Sequence, residues 1–284
     1  MKKTLKNNTD KSVRVDKFLA DTFPEYSRAA LTKLFDLKLI KLNGEPIQPG
    51  FKLRPDSDIE YDLGPLQEKP EVIELPIIYE DDNVIVVNKP AGIISHARGR
   101  FWQEASVASF IRDRISGMDG ERGGIVHRLD RATSGVMICA RNEATLKYLQ
   151  KQFSDRKVQK EYVAIVSGVI DPVEAIIDVG IERDEKDPKR FIVSKTGKPS
   201  QTHYTSKLMK SGYSRVEMQP KTGRTHQLRL HLKYIGHPIV GDELYGGETA
   251  ERLMLHAGKL TITLGDGDVM TFDAPQPKEF ESYL

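Results

Sequence analysis

Short apolar segments bounded by turn residues or charges are the feature that most constrains the fold of residues 75–284, the larger part of this 284-residue chain. Their length and composition predict strands at residues 77–79, 84–87, 135–141, 160–168, 201–208, 213–218, 260–264 and 269–272. Helices are predicted in this region only after the N-cap residues Ser106 and Asn142 and over residues 225–235. Because strands outnumber helices and many connections are hairpin-sized, we predict an α+β fold with a mixed, largely antiparallel sheet and flanking helices.

The N-terminal quarter of the chain has a different organisation. Residues 1–11 are polar with few apolar anchors and predict a disordered tail. Residues 12–62 have the pattern of a small α/β module with two amphipathic helices followed by short strands. Residues 63–74 combine Gly, Pro and charge and predict a linker between this module and the large domain.

Composition narrows the class of protein. Apolar residues make up 38% of the chain and charged residues 30%, which is typical of a soluble globular protein. No apolar run approaches the roughly 18 residues of a membrane span, and the basic N-terminus lacks the apolar core of a secretory signal. The single cysteine, Cys139, excludes an internal disulfide and indicates a reducing compartment. We therefore expect a cytoplasmic protein without membrane association, and we also expect a monomer.

The formal net charge of +2 is too small for binding a polyanion through the charge of the whole molecule. A nucleic acid partner would have to be bound by local basic patches. The sequence contains no P-loop, no Gly-x-Gly-x-x-Gly segment and no His-Glu-x-x-His segment, and His226 and His231 are poorly spaced to share a metal. We therefore expect neither a nucleotide cofactor nor a metal ion.

One carboxylate stands in an unusually basic segment. In residues 124–135, Asp130 is surrounded by His127, Arg128 and Arg131. Nearby guanidinium groups favour the charged form of a carboxylate and lower its pKa. Such an acid can serve as a nucleophile or stabilise positive charge. From composition alone, an ion pair that ties two strands together explains the same segment.

The order of residues in this segment is more informative than its composition. His-Arg-Leu-Asp-x-x-Thr-Ser-Gly, which starts at His127, resembles the central motif of the RluA/RluD-type large-subunit ribosomal RNA pseudouridine synthases. Further segments resemble motifs of this family in the same order along the chain, at residues 87–92, 160–162, 222–231, 236–242 and 255–257. Residues 95–101 depart from the family pattern and form a basic loop able to contact RNA. The resemblance implies the pseudouridine synthase fold.

The resemblance also implies the reaction. A pseudouridine synthase breaks the bond between uracil N1 and ribose C1′, turns the base and rejoins it through C5, so substrate and product are isomers and no cofactor is consumed. Asp130 would be the catalytic carboxylate, which either attacks C1′ or stabilises an oxocarbenium and glycal path. Tyr162 would stack on the target uracil. Without the resemblance, Tyr162 is interpreted as an ordinary core aromatic of a strand.

Four further residues receive roles from the resemblance. Arg229 would pair with Asp130 across the site, with Arg224 as the competing candidate, and Leu228 would pack beneath the stacking tyrosine. Arg128 would enter the stack left by the flipped nucleotide, because a base in folded RNA must be extruded to be reached. The alternatives are a surface helix charge for Arg229 and a purely structural partner of Asp130 for Arg128.

Residues 12–62 resemble an S-four-type RNA-binding domain, through Arg14-Val15-Asp16-x-x-Leu19, Ser27-Arg28 and the strand before the Asn43-Gly44 turn. The segment from Ser27 to residue 42 contains four basic residues against the single acid Asp36. They are Arg28, Lys33, Lys38 and Lys41. A one-sided basic helix suits phosphate contacts along RNA, and a solvated helix face is the alternative.

Other functions stay open at the level of sequence. The basic module favours large-subunit ribosomal RNA as the substrate, with transfer RNA as the alternative. A non-catalytic RNA-binding ribosome-assembly factor would have no need of Asp130, Tyr162 and Arg229 together. A hydrolase would lack a Ser or Cys nucleophile in a suitable setting. His127 and His226 are interpreted as groups that orient the backbone and loops rather than transfer protons.

Overall fold

The computed structural model describes residues 3–68, 71, 73–97, 104–118, 122–208, 212–265 and 267–283. The chain divides into two compact units, with the main boundary after residue 72. Residues 98–101 of the predicted basic loop lie outside the described residues. Within the described ranges, none of the helices has the length and apolar character needed to cross a bilayer.

The smaller unit contains three helices and six short strands among its described residues. In chain order they are β1 (Lys3–Lys6), β2 (Val13–Arg14), α1 (Val15–Thr22), α2 (Arg28–Asp36), β3 (Lys41–Leu42), β4 (Glu45–Pro46), β5 (Lys52–Leu53), β6 (Asp58–Tyr61) and α3 (Gly64–Gln67). Strands β1, β6, β3 and β4 form one antiparallel sheet in that order, and β2 pairs with β5. The apolar faces of the helices and sheet share one core, which includes Leu19, Leu31 and Ile59.

Helix α2 begins where the sequence predicts, because the hydroxyl of Ser27 accepts a hydrogen bond from the amide of Ala30. The helix ends at Asp36, however, so the four predicted RNA-contacting cations do not share one helix face. Two of them lie on α2, Lys38 lies in the following turn with a φ of 58°, and Lys41 lies on β3. The guanidinium of Arg28 is bound to the carboxylate of Asp16. The prediction of a one-sided basic helix is therefore wrong in its geometry.

Two boundary predictions need correction. Residues 3–6 are not disordered, because they form β1 and pair with β6 in antiparallel register. The side chain of Asn7 then anchors the end of β1 by donating to the carbonyl oxygen of Arg54 at 2.9 Å. Within the predicted linker, residues 64–67 form α3, and Leu66 is buried in the core of the smaller unit. The apolar side chain of Leu66 explains why this segment packs rather than extends.

The larger unit is built on a nine-stranded sheet. Its elements in chain order are β7 (Ile77–Glu80), β8 (Val84–Lys89), α4 (Val107–Ile111), β9 (Ser134–Ala140), α5 (Glu143–Ser154), β10 (Gln159–Ser167), β11 (Glu174–Asp178), β12 (Ile181–Arg183), β13 (Phe191–Val193), β14 (Gln201–Leu208), β15 (Tyr213–Pro220), α6 (Gln227–Tyr234), β16 (Leu255–Thr263) and β17 (Val269–Asp273). The sheet order is β11-β14-β15-β10-β16-β9-β8-β7, with β17 on β16. Among these described strands, only β9 and β16 pair in parallel. The predicted mixed, largely antiparallel α+β fold is confirmed.

The parallel junction between β9 and β16 depends on a glycine. Gly135 has a φ of 121°, and a Cβ atom added there would lie 2.1 Å from the carbonyl oxygen of Ala257. A side chain cannot be accommodated at that distance, so glycine allows the two strands to approach. This junction brings the start of β9, and the loop before it, beside the central strands β16 and β10.

Candidate active site

Asp130 lies in the loop that leads into β9, and backbone hydrogen bonds fix this loop. The amide of Thr133 donates to the carbonyl oxygen of Asp130 at 3.1 Å. The buried hydroxyl of Ser95 accepts from the amide of Leu129 at 3.0 Å and donates to the carbonyl oxygen of the same residue at 2.7 Å. The carboxylate is therefore presented by a segment with little freedom to shift.

A buried lysine ties a second loop to this segment. The ammonium group of Lys89 donates to the carbonyl oxygens of Pro90 at 2.9 Å, Ile93 at 2.7 Å and Arg131 at 3.3 Å. These three acceptors match the three donors of an ammonium group. Burial lowers the pKa of Lys89 to about 7, against the opposing effect of the charge of Asp130. Lys89 thus connects the end of β8 to the loop that carries the acid.

His127 has a structural role. Its Nε2 atom accepts a hydrogen bond from the amide of Ile138 at 3.1 Å, and its ring stacks on Phe153 with the ring centroids 4.6 Å apart. Burial lowers the pKa of His127 to about 3, so the ring stays neutral at physiological pH. Its hydrogen bond to the backbone agrees with the prediction that it orients backbone groups.

A single cleft brings the predicted site residues together. The six residues assigned to catalysis or substrate binding all line it, and they are Arg128, Asp130, Tyr162, Arg224, Leu228 and Arg229. They come from the loop before β9, from β10 and from the segment that leads into α6. The loop of Asp130 leads into β9 and the segment of Arg224 follows β15, and both strands belong to one sheet in the order β15-β10-β16-β9.

Tyr162 lies on β10 at an irregularity in its pairing with β16, where the register shifts between Glu161 and Tyr162. Burial and the nearby charge of Asp130 raise the pKa of its hydroxyl well above the ordinary value. The phenol therefore stays protonated at physiological pH and can act as a hydrogen-bond donor. Its ring also packs against the apolar cores of the unit.

Arg229 does not pair with Asp130 as predicted. Its Nε and Nη2 atoms donate to the two carboxylate oxygens of Asp242 at 2.7 and 2.6 Å. Both partners are buried, and the planar guanidinium fork matches a carboxylate when both nitrogens reach it. Arg224, the competing candidate, donates instead to the carbonyl oxygen of Pro199 at 3.3 Å.

Among the described residues, His226 supplies the one basic nitrogen within 4.0 Å of the carboxylate of Asp130. The Nε2 atom of His226 lies 4.0 Å from an oxygen of Asp130. Its Nδ1 atom lies 2.7 Å from the hydroxyl of Tyr245, and that hydroxyl accepts from the amide of Phe191 at 3.1 Å. Because the buried hydroxyl still has one proton to donate, it satisfies Nδ1 and leaves the Nε2–H tautomer facing Asp130. Burial lowers the pKa of His226, which favours this neutral form.

Comparisons with known proteins identify the family. Residues 83–234 match a sequence model described as RNA pseudouridylate synthase, and residues 13–59 match the S4 domain. The chain belongs to the RNA pseudouridylate synthase family. It is 39% identical to a protein of Borreliella burgdorferi named ribosomal large subunit pseudouridine synthase D, with 99% of this chain and 90% of the relative covered. An uncharacterized RNA pseudouridine synthase of Aquifex aeolicus is 36% identical, with 95% of this chain and 92% of the relative covered.

A solved structure agrees with this assignment. Human RNA Pseudouridylate Synthase Domain Containing 1 superposes with a TM-score of 0.60 at 29% identity, with 74% of this chain and 87% of that chain covered. The family and the fold expected from the sequence motifs are confirmed. The protein is an RNA pseudouridine synthase with an N-terminal S4 domain.

Several residues of the synthase site were not assigned a role from the sequence. Asp242 and Tyr245 determine how Arg229 and His226 are held, and Lys160 lines the same cleft. Asp242 ends one of the matched segments, which was the available signal, whereas Tyr245 follows it without any local pattern that marks it. Among the described residues, no group of three or more His, Cys, Asp or Glu side chains is arranged to hold a metal ion.

Proposed function

We propose that this synthase converts uridine to pseudouridine in large-subunit ribosomal RNA, with Asp130 as its catalytic carboxylate. The observation that carries the proposal is that Asp130 and Tyr162 line one cleft in a chain that belongs to the family. The choice of substrate follows the relative named ribosomal large subunit pseudouridine synthase D, which resembles this chain over nearly its whole length.

Asp130 acts at ribose C1′. The bond from C1′ to N1 breaks, the freed uracil turns within the cleft, a bond forms from C1′ to C5, and the C5 proton is replaced by one at N1. Attack on C1′ and stabilisation of an oxocarbenium path both require an ionised carboxylate beside C1′. The Nε2–H group of His226 faces this carboxylate at 4.0 Å.

Tyr162 stacks on the target uracil. Its ring is supported from below by the apolar core of the unit and by Leu228, which lines the same cleft. Burial and Asp130 both raise the pKa of its hydroxyl, which therefore stays protonated. This hydroxyl acts as a hydrogen-bond donor near the sugar. A flat, fixed aromatic surface also holds the uracil while its bond to ribose is broken.

The three arginines of the cleft have different roles. Arg128 is exposed and enters the base stack that the flipped nucleotide leaves, which offsets part of the cost of extruding a base. Arg224 contacts the RNA at the mouth of the cleft. Arg229 acts through its charge, because its interaction with Asp130 is electrostatic while its hydrogen bonds go to Asp242.

The S4 domain binds the backbone phosphates of the RNA. The cations that bind them are Arg28 and Lys33 on α2, Lys38 in the turn after it and Lys41 on β3. We place the reaction in the cytoplasm and assign it to a monomer.

Pseudouridine mapping of total RNA tests the proposal. Cells that lack the gene, cells that carry it and cells that carry Asp130→Asn would be compared by chemical mapping of pseudouridine in all stable RNAs. We expect one or more sites in large-subunit ribosomal RNA that are present only with the native protein. Sites confined to transfer RNA would overturn the substrate, and sites restored by Asp130→Asn would overturn the role of Asp130.

A further inference from the structure

A second groove adjoins the cleft that contains Asp130 and Tyr162, which we call the uridine cleft. Its lining residues come from the loop before β9, from the end of α5 and the segment after it, from β10 and from residues 221–224. Five cations line it, namely Arg128, Arg156, Lys160, Lys221 and Arg224, and no Asp or Glu lies among its described lining residues. We call it the basic groove. Tyr162 lines both the basic groove and the uridine cleft, so the two are continuous.

The cations of the basic groove are not neutralised by acidic side chains. None of the five forms an ion pair with a carboxylate in the described part of the chain. Other cations of this unit are neutralised, as Arg229 is by Asp242 and Lys147 by Glu143. In a protein with a net charge of only +2, five such cations around one groove are a local excess of positive charge.

Lys160 is half-buried, whereas Arg128, Arg156 and Lys221 are exposed. Its ammonium group makes one hydrogen bond, to the carbonyl oxygen of Thr222 at 3.3 Å, and lines both the basic groove and the uridine cleft. Burial lowers its pKa to about 8, and no nearby carboxylate opposes this effect. Lys89 has three carbonyl acceptors for its three donors, whereas Lys160 has donors left for a ligand. Such a site selects an anion.

We propose that the basic groove is a phosphate site, in which Lys160 binds a backbone phosphate of the RNA next to the target uridine. The inference rests on the proposed function, because it takes the neighbouring cleft to hold the uridine. An RNA strand that places its uracil on Tyr162 must carry its flanking phosphates along an adjoining surface, and the basic groove is the surface continuous with that residue. The exposed cations Arg156 and Lys221 extend the site toward solvent for a further phosphate.

Proton linkage provides the first test. A bound phosphate raises the pKa of Lys160 from about 8, so binding takes up a proton and affinity falls as the pH rises through this value. The other charged or titratable groups that line the groove or the cleft with Lys160 are His127, Arg128, Asp130, Arg156, Tyr162, Lys221, Arg224, His226 and Arg229. His127 stays neutral above pH 7, and Tyr162 stays protonated throughout this pH range.

The measurement is the Kd for an unmodified transcript of large-subunit ribosomal RNA between about pH 7 and 9 at fixed ionic strength, a range that brackets the pKa of Lys160. Lys160→Arg keeps the charge and should bind tightly without the pH-dependent decrease, because arginine stays protonated. Lys160→Met should bind roughly tenfold more weakly at neutral pH, the effect typical of removing one charge-assisted hydrogen bond. The same pH dependence in Lys160→Arg as in the native protein would overturn the assignment. Thermal unfolding of both variants establishes that they fold. If Lys160→Met does not fold, the pH dependence of Lys160→Arg alone tests the phosphate site.

Salt titration provides the second test. Removing one phosphate-binding cation should reduce the slope of log affinity against log salt by roughly 0.7–0.9. We expect this reduction for Lys160→Met and a further one for Arg156→Ala with Lys221→Ala. Lys147→Ala is the matched control, because it removes an exposed lysine of α5 that is paired with Glu143 and lies outside the groove. Equal slopes for all variants would show that the groove does not bind RNA.

Two further arms separate the possible failures. Inorganic phosphate at constant ionic strength should not displace the RNA. Displacement by millimolar phosphate would show that the groove binds a free anion, and would overturn the RNA backbone as its ligand. Pseudouridine is measured on the same transcript. Turnover by the native protein with unchanged slopes in the variants would overturn the phosphate site alone. Altered slopes without any pseudouridine would overturn the proposed function and retain the phosphate site.

Discussion

Asp130 is an acid whose one basic neighbour within 4.0 Å, among the described residues, is the imidazole of His226 rather than a guanidinium. Replacing it by Asn removes the charge at nearly constant volume. We expect Asp130→Asn to abolish pseudouridine formation and to leave the affinity for RNA nearly unchanged, because phosphate contacts rather than this acid supply most of the binding. The assay combines pseudouridine mapping with Kd measurement on one transcript. Turnover by the folded variant would refute the assignment.

Tyr245 offers a test of how His226 is held. Tyr245→Phe keeps the ring, over which the guanidinium of Arg229 lies 4.9 Å from the centroid, and removes only the hydroxyl. The amide of Phe191 and Nδ1 of His226 then have no shared partner, which should lower the free energy of unfolding by about 1–3 kcal/mol. We also expect a lower kcat with KM largely retained, because the imidazole no longer faces Asp130 in one tautomer.

Denaturant unfolding and steady-state kinetics of Tyr245→Phe check both effects. Tyr213→Phe is the control, because it removes a tyrosine hydroxyl that is bonded to Glu248 away from the cleft. A kcat equal to the native value would contradict the role given to the tautomer, even if the stability decreases.

The buried pair of Arg229 and Asp242 leads to a third prediction. Asp242→Ala leaves the guanidinium without its carboxylate, and breaking a buried pair from one side costs about 3–5 kcal/mol of unfolding free energy. Replacing both residues by apolar side chains, as in Arg229→Met with Asp242→Leu, should cost much less stability but still impair catalysis. Chemical denaturation of the single and double variants measures the coupling. Additive decreases in stability would contradict a direct pair.

At this scale the motifs determine which residues meet, and only the fold determines how they pair. The order of the motifs was sufficient to place Arg229 in the cleft, but both Asp130 and Asp242 lie in matched segments. Which acid the guanidinium reaches depends on where α6 begins and on the course of residues 236–242, and neither is a local property. The tautomer of His226 likewise depends on Tyr245, which is 19 residues away in the chain.

At the scale of elements, strong local patterns were predicted well and weak ones were not. The strand predicted at residues 201–208 has those bounds in the structure, and the N-caps at Ser106 and Asn142 are both formed. Helix α6 begins two residues later than predicted, because His226 has a φ of 57° and cannot belong to the helix. Strands β11 to β13 were missed because their short segments alternate little and are stabilised by partners distant in sequence.

A substitution at Gly135 tests whether the close approach of β9 and β16 is needed for stability. A methyl group there would meet the carbonyl oxygen of Ala257 at 2.1 Å on a backbone with positive φ. We expect Gly135→Ala to lower the free energy of unfolding by roughly 2–5 kcal/mol, from overpacking and backbone strain together. Gly92→Ala is the control, because Gly92 also has a positive φ but no atom within 4 Å of the added methyl group. Equal decreases in denaturant unfolding would show that the close approach of the strands is not limiting.

At the scale of the whole molecule, the division into two units was visible in the change of residue pattern, but its position was not. The core of the smaller unit includes Leu66, and the core of the larger unit begins near Leu75. A linker prediction based on Gly and Pro could not detect that one apolar side chain fixes α3. A cut at residue 62 would therefore remove the core that covers Leu66 and leave α3 exposed.

Removal of residues 1–72 is thus the appropriate test of the S4 domain. The larger unit has its own cores and should fold, whereas its affinity for RNA should fall and the dependence of affinity on salt should flatten, because the S4 domain no longer binds phosphates. Lys38→Ala with Lys41→Ala in the full chain should reproduce part of this effect, with a slope reduced by roughly 0.7–0.9 for each cation removed. Arg28 is less suitable for substitution, because replacing it also removes a partner of the buried carboxylate of Asp16.

The comparison uses salt-titrated Kd values and pseudouridine maps of the native chain, the truncated chain and the double variant. Because phosphate contacts position a protein without specifying sequence, all three proteins should modify the same uridine, the truncated chain only at higher enzyme concentration. Identical salt slopes would show that the S4 domain does not contribute to binding. A changed target in the truncated chain would show that this domain selects the site as well as holding the RNA.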